Sequence, residues 1–190
     1  MKIGVLALQG AVSEHLKMIE QCGHQAVPVK TAEQLNQVQK LIIPGGESTT
    51  IGRLLSRYRL KEKIVQLYQS SNIPIFGTCA GMILLAKNIE GVEQDTMGLI
   101  DVSVRRNAFG RQIDSFETDL NISVLKPRVF KGIFIRAPFI TKVGKNVETL
   151  CCYDGNIVLA QEGNIIVSSF HPELGNDIRI HQYFINLQKT

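Results

Sequence analysis

Ile73-Pro74-Ile75-Phe76-Gly77-Thr78-Cys79-Ala80-Gly81-Met82 is the stretch that decides the fold. Its first half, residues 73–76, is an apolar run of the kind a strand buried on both faces requires. Its second half opens an apolar helix over residues 80–86. Between them Gly77-x-Cys79-x-Gly81 packs small residues around one thiol, the cysteine counterpart of a nucleophile elbow. Small neighbours suit a turn too tight for side chains. A strand running straight into a helix in this way belongs to an α/β sheet. The turn then stands at the carboxyl edge of that sheet, where open α/β folds bind ligands.

Working outward, the preceding sequence repeats the same unit. Residues 2–8, 25–30 and 41–43 read as strands, and residues 13–22, 32–36 and 60–69 as helices. Pro44-Gly45-Gly46 breaks the third strand, and Ser48-Thr49-Thr50 offers cap residues for a helix that carries Ile51, Leu54 and Leu55. Alternation of this kind predicts a three-layer fold, a mostly parallel sheet flanked by helices. The texture changes after residue 99. Residues 99–104, 116–124, 132–135 and 147–160 are rich in β-branched side chains, and Asp154-Gly155 marks a hairpin. These segments predict an added antiparallel strand region. Residues 165–170 form one more strand, and residues 177–188 a closing helix. With 190 residues and no linker or repeat, residues 1–190 are expected to form one domain.

The composition excludes several classes. Apolar residues at 44% argue against disorder, and no apolar run approaches the ~20 residues of a membrane-spanning helix. The run from Ile3 stops at Gln9, too short for the ~7–15-residue core of a signal peptide, so a cytoplasmic protein is expected. The net charge is +4, Trp is absent, and the basic residues Arg53, Arg57, Arg59, Lys61 and Lys63 read as a solvated helix face, not a nucleic-acid surface. Of the four cysteines, Cys151 and Cys152 are strand filler facing opposite sides, and Cys22 closes a helix. No pair has C-x-x-C spacing, and no set of His, Cys, Asp and Glu has ligand spacing, so no metal is expected.

A thiol nucleophile needs a base. His15, His24 and His181 read as surface or half-buried residues. His171 ends the strand over residues 165–170, and Pro172 holds it two residues from Glu173. Both side chains can then point one way, with Glu173 orienting the imidazole. Cys79, His171 and Glu173 are therefore the candidate triad, with the helix dipole at Cys79 favouring a thiolate. The Pro44-Gly45-Gly46-Glu47-Ser48 loop lacks the spacing of a phosphate-binding turn. Its glycines could instead supply an amide, at Gly46, which with Ala80 N–H would make an oxyanion hole.

These motifs, together with Leu8-Gln9-Gly10-Ala11, Arg105-Arg106-Asn107-x-Phe109-Gly110-Arg111-Gln112 and Phe134-Ile135-Arg136-Ala137-Pro138, span nearly the whole chain. Their pattern resembles class I glutamine amidotransferase domains. The last two stretches narrow the likeness to the glutaminase subunits of pyridoxal 5′-phosphate synthases. The resemblance implies a flavodoxin-like class I glutaminase fold and hydrolysis of L-glutamine to glutamate and ammonia through a γ-glutamyl thioester. It also implies delivery of the ammonia to a separate synthase subunit in a hetero-oligomer, with no cofactor in the glutaminase itself. Glutamine contacts would fall on Gly46, Glu47, Ser48, Arg106, Ile135 and Arg136. From residue chemistry alone Arg106 could equally be a surface arginine, and Ile135-Arg136 a plain strand end. A glutaminase of another amidotransferase, a cysteine peptidase on a similar sheet and a non-catalytic regulatory homologue stay open at this point.

Overall fold

Ile3, Val5 and Leu6 are buried in a strand whose neighbours on both sides are parallel, so their side chains alternate between two helical layers. The computed structural model describes residues 1–106 and 115–188. The strands are β1 (Lys2–Leu6), β2 (Gln25–Val29), β3 (Lys40–Ile43), β4 (Ile75–Thr78), β5 (Ala86–Ile89), β6 (Ile100–Arg105), β7 (Ser115–Asn121), β8 (Val129–Ile135), β9 (Phe139–Val143), β10 (Glu148–Tyr153), β11 (Asn156–Glu162) and β12 (Ile165–Ser168). The helices are α1 (Val12–Gln21), α2 (Ala32–Leu35), α3 (Ser48–Arg57), α4 (Leu60–Ser71), α5 (Ala80–Leu85) and α6 (Arg179–Asn186).

The main sheet runs β2-β1-β3-β4-β12-β11-β9-β6-β5, with β10 paired to β11. Its first five strands are parallel and follow the flavodoxin-like order. The antiparallel region foreseen from the sequence is continuous with them, joined through β11 on β12 and β9 on β11. β7 and β8 form a separate antiparallel pair. One face of the sheet presents Leu41, Ile43, Ile75 and Val167 to Ile51, Leu55, Leu60 and Ile64 of α3 and α4. The other presents Ile3, Val5, Ile42 and Ile166 to Ile19 of α1, Phe184 of α6 and Phe134 of β8. This is the three-layer arrangement expected.

Local signals account for most element ends. Thr31 and Gln34 form a capping box on α2. The turn between β10 and β11 has positive φ at both Asp154 and Gly155, as a tight hairpin demands. The span 147–160 is thus two strands. α3 differs in its cap: Glu47, not Ser48, is the N-cap, and its carboxylate accepts the N–H groups of Thr49 and Thr50. α6 begins later than residue 177, because Asp177 Oδ1 accepts the Arg179 N–H at 3.0 Å. β5 and β9 have no counterpart in the sequence reading.

Candidate active site

Thr78 ends β4, Ala80 begins α5, and Cys79 between them has φ 49° and ψ −100°. That conformation costs a non-glycine residue ~1–3 kcal/mol, and the surroundings must enforce it. Cys79 N–H donates to Ser168 O on β12 at 2.8 Å, anchoring the turn to the neighbouring strand. A Cβ on Gly81 would lie 2.0 Å from Ile43 O, so only glycine lets α5 approach β3 this closely. The elbow is therefore clamped between β3 and β12, with Cys79 only 8% exposed.

β12, parallel to β4, carries His171 to the same edge. His171 N–H donates to Ile133 O at 2.8 Å, and a 3₁₀ turn at Pro172–Leu174 folds Glu173 back beneath the ring. Nδ1 of His171 and Oε1 of Glu173 are 2.7 Å apart. The other ring nitrogen is left for Cys79, which lines the same cavity as His171. His171 and Glu173 are 7% and 4% exposed. Burial opposes a charge on His171, but its interactions with the neighbouring Cys79 and Glu173 prevail, raising its pKa to about 10. Burial likewise opposes ionisation of Glu173, and His15 and His171 more than offset it, holding the carboxyl below its ordinary range. An imidazolium between an acid and a thiol is equipped to give up a proton to a leaving group.

The site opens into a cavity of about 600 Å³ lined by Gly46, Glu47, Ser48, Cys79, Ala80, Ile83, Arg106, Ser115, Ile135, Arg136 and His171. The structure thus gathers around one cavity every residue singled out from the sequence except Glu173, which lies behind His171. Of the Arg105-Arg106-Asn107-x-Phe109-Gly110-Arg111-Gln112 stretch, the part from Asn107 onward lies outside the described residues. Arg106 faces Glu47, Nη2 to Oε1 at 3.8 Å, and donates through Nη1 to Gln94 Oε1 at 3.2 Å. Glu47 is held ionised down to about pH 2, first by the Thr50 hydroxyl, then by backbone N–H groups of Thr49 and Thr50. The cavity wall therefore carries one carboxylate, Glu47, and two guanidinium groups, Arg106 and Arg136. Sγ of Cys79 lies 3.9 Å from Ile135 O.

The glycine loop is tied down on three sides. Gly45 N–H donates to Thr78 Oγ1 at 3.0 Å, Ala11 N–H to Gly45 O at 3.0 Å, and Glu47 N–H to Gln9 Oε1 at 2.8 Å. In a trans peptide the carbonyl and the next N–H point opposite ways. The bond from Ala11 therefore aims Gly46 N–H away from the Gln9–Ala11 turn. Ala80 N–H belongs to the first turn of α5, whose amides have no intrahelical acceptor.

Two expectations from the sequence are corrected. His15 and His181 are not surface or half-buried residues; both have no exposed area. Nδ1 of His15 lies 3.0 Å from Nε2 of His181, and its Nε2 3.1 Å from Thr78 Oγ1. The reason is the position of His15 three and four residues before Met18 and Ile19, on the face that α1 turns to the sheet. That periodicity was readable. Gln94, Ile83 and Ser115 were also missed, and no local signal marks them. Among the described residues, no group of three or more His, Cys, Asp or Glu could hold a metal ion.

The chain is similar over nearly its whole length to known glutamine amidotransferases. A family model described as the SNO glutamine amidotransferase family matches residues 5–189. The pyridoxal 5′-phosphate synthase subunit PdxT of Pelotomaculum thermopropionicum is 54% identical over 185 residues, 97% of this chain and 94% of its own. That of Desulforamulus reducens is 52% identical over 189 residues, covering both chains completely. A crystal structure of a glutamine amidotransferase superposes with a TM-score of 0.93 at 45% identity, covering 97% of each chain. A putative GMP synthase component from Thermoplasma acidophilum, at 16% identity and a TM-score of 0.72 over 98% of this chain and 93% of its own, shares the fold.

Proposed function

The chain belongs to the SNO glutamine amidotransferase family, and from that premise we propose that Cys79, His171 and Glu173 release ammonia from L-glutamine, as the glutaminase subunit of a pyridoxal 5′-phosphate synthase. The observation that carries the reading is His171, held by Glu173 at 2.7 Å and sharing with Cys79 the wall of one cavity that also carries groups of both charges. A free α-amino acid presents a carboxylate and an ammonium. Arg106 suits the first and Glu47 the second, while Gly46, Ser48, Ile135 and Arg136 line the space between. That pairing favours free glutamine over a peptide, whose corresponding groups are blocked.

The chemistry follows from the protonation state. Cys79 attacks the side-chain amide carbon as a thiolate, and negative charge gathers on the carbonyl oxygen, to be met by the N–H groups of Gly46 and Ala80. The C–N bond breaks as His171 passes its proton to the departing nitrogen, giving ammonia and a γ-glutamyl thioester. Neutral His171 then takes a proton from water as the water oxygen attacks the thioester. Glutamate leaves, and Cys79 and His171 return to their starting state. Glu173 stays ionised throughout and keeps the ring in register. No step calls on a metal or cofactor.

The whole span 1–190 acts as one glutaminase domain, and its partner is the synthase subunit. No described helix is long and apolar enough to cross a membrane, and we assign the protein to the cytoplasm. The test is glutamate release by the purified chain, measured in isolation and again with an equimolar amount of the synthase partner. The loop orientation rests on the Ala11–Gly45 bond. A partner seated on Gln9–Ala11 would bias it, so the complex is expected to turn over faster. Absence of glutamate release in the complex would overturn the assignment; equal rates would overturn only the gating.

A further inference from the structure

Glu173 has two carboxylate oxygens, and the triad uses one. Oε2 is buried with no hydrogen-bond partner, and Nε2 of His15 faces it at 3.4 Å. Both side chains are completely buried. A desolvated carboxylate oxygen is costly unless a donor faces it, so the proton position on His15 matters.

Two arrangements are available. With the proton on Nδ1, His15 would donate to His181 Nε2. His181 would then carry its own proton on Nδ1, a buried atom with no partner. The bare Nε2 of His15 would face the carboxylate. With the proton on Nε2, His181 donates to His15 Nδ1, only a lone pair is left at His181 Nδ1, and a donor faces both Glu173 Oε2 and Thr78 Oγ1. The second arrangement leaves no ring donor unpaired and removes a repulsion. Burial disfavours a charge on either ring, lowering His15 from its ordinary value and taking His181 down to about 3.

We propose that His15 is a positioning residue of the glutaminase, acting through Nε2–H on Glu173 and on Thr78 at once; the inference rests on the triad reading above. The contacts close into a ring. From His15 one arm runs through Glu173 to His171, and the other through Thr78 Oγ1 to Gly45 N–H at 3.0 Å. The arms meet where Gly45 abuts the imidazole: a Cβ there would lie 2.4 Å from His171 Cε1. One side chain on α1 thus fixes the base and the glycine loop together. The charged groups acting on His15 are Glu173, His171 and Glu14. Glu14 and Lys17 of α1 also line, with Glu173, a small cavity of about 190 Å³.

The experiment compares His15→Leu and His15→Gln in the assembled synthase. His15→Leu is expected to lower kcat roughly 10- to 100-fold, the cost of leaving a buried charged oxygen with no donor facing it. KM for glutamine should move by less than about threefold, since no substrate contact is lost. The acidic limb of kcat/KM should shift to higher pH, because Glu173 without its donor takes up a proton more readily. His15→Gln, whose amide nitrogen reaches toward the position of Nε2, should restore most of kcat and return the limb. Iodoacetamide labelling of Cys79, followed by peptide mass spectrometry, should show the same pH shift without glutamine. Wild-type kcat and pH limb in His15→Leu would overturn the proposal. So would a loss that tracks the folded fraction by circular dichroism, with an unmoved limb and no rescue. If His15→Leu does not fold, His15→Asn, polar but too short to reach Glu173, carries the same expectations. Turnover by Cys79→Ser would instead defeat the triad reading, leaving the labelling arm to judge His15.

Discussion

Gly45→Ala adds a single carbon against the face of the base. The new Cβ would stand 2.4 Å from Cε1 and 2.9 Å from Nδ1 of His171, and 3.4 Å from Cβ of Cys79. Ordinary contact begins at 3.4 Å, so the ring must retreat by about 1 Å. It cannot do so and keep Nδ1 at 2.7 Å from Glu173 Oε1. φ at Gly45 is outside the left-handed region, so alanine brings no backbone strain of its own and the effect is steric. A misplacement of ~1 Å in a catalytic group costs on the order of 10²-fold in rate. Overpacking should cost a further ~1–3 kcal/mol of stability, partly offset by the ~0.4–1 kcal/mol that losing a glycine stabilises through the unfolded chain. Gly52→Ala is the control: its Cβ would meet nothing nearer than 3.5 Å, inside α3. Measured as kcat and KM for glutamine with the synthase partner present, and as Tm by circular dichroism, Gly45→Ala should lose kcat while Gly52→Ala keeps it. A folded Gly45→Ala with wild-type kcat would refute the claim that this glycine sets the base.

Cys79→Ser should end ammonia release while Cys151→Ala and Cys152→Ala retain it, since Cys152 is exposed and burial, above all, pushes the Cys151 thiol up to about 11; labelling of Cys151 instead of Cys79 by a diazo-ketone glutamine analogue would count against this. His171→Asn should abolish turnover and Glu173→Gln should reduce it less, an orienter contributing less than the group that moves the proton; single-turnover thioester formation separates the two. Stability should also follow His171, whose pKa is raised from 6.5 to about 10 on folding. A raised pKa means the folded chain holds the proton more tightly, so the stabilisation is complete below about pH 6.5 and is lost as pH rises through about 10. The urea midpoint of wild type minus that of His171→Asn should therefore shrink across this window, and a difference that grows with pH would contradict the assignment.

The elbow was readable because everything that makes it is local: an apolar strand, a cysteine flanked by glycines, an apolar helix. The hairpin at Asp154-Gly155 was readable for the same reason. Elsewhere local signals fell short. Ala86–Ile89 is an edge strand with exposed Lys87 and Asn88, so it lacks the apolar run of a central strand. Phe139–Val143 follows Pro138 and contains exposed Lys142, which disguises it in the same way. The cap of α3 was misread because a carboxylate reaching forward from Glu47 does the work that Ser48 also has the chemistry to do. His15 was misjudged by residue type, although its spacing from Met18 and Ile19 set it on the buried face. The pairing of β12 with β4 joins residues about ninety positions apart, and no neighbouring residue announces it.

That pairing has a consequence for the order in which the protein matures. β12 occupies the middle of the sheet yet follows every other described strand in the chain and so leaves the ribosome after them, and it supplies both the carbonyl that holds the Cys79 amide and the run into His171. Until it slots between β4 and β11, the strained turn at Cys79 lacks its anchor and the thiol lacks its base. Long-range parallel pairing is also the slow part of folding, since loop closure must precede any gain from contact. Reactivity is thereby coupled to completion: a nascent or half-folded chain carries an ordinary cysteine, and only the finished sheet arms it.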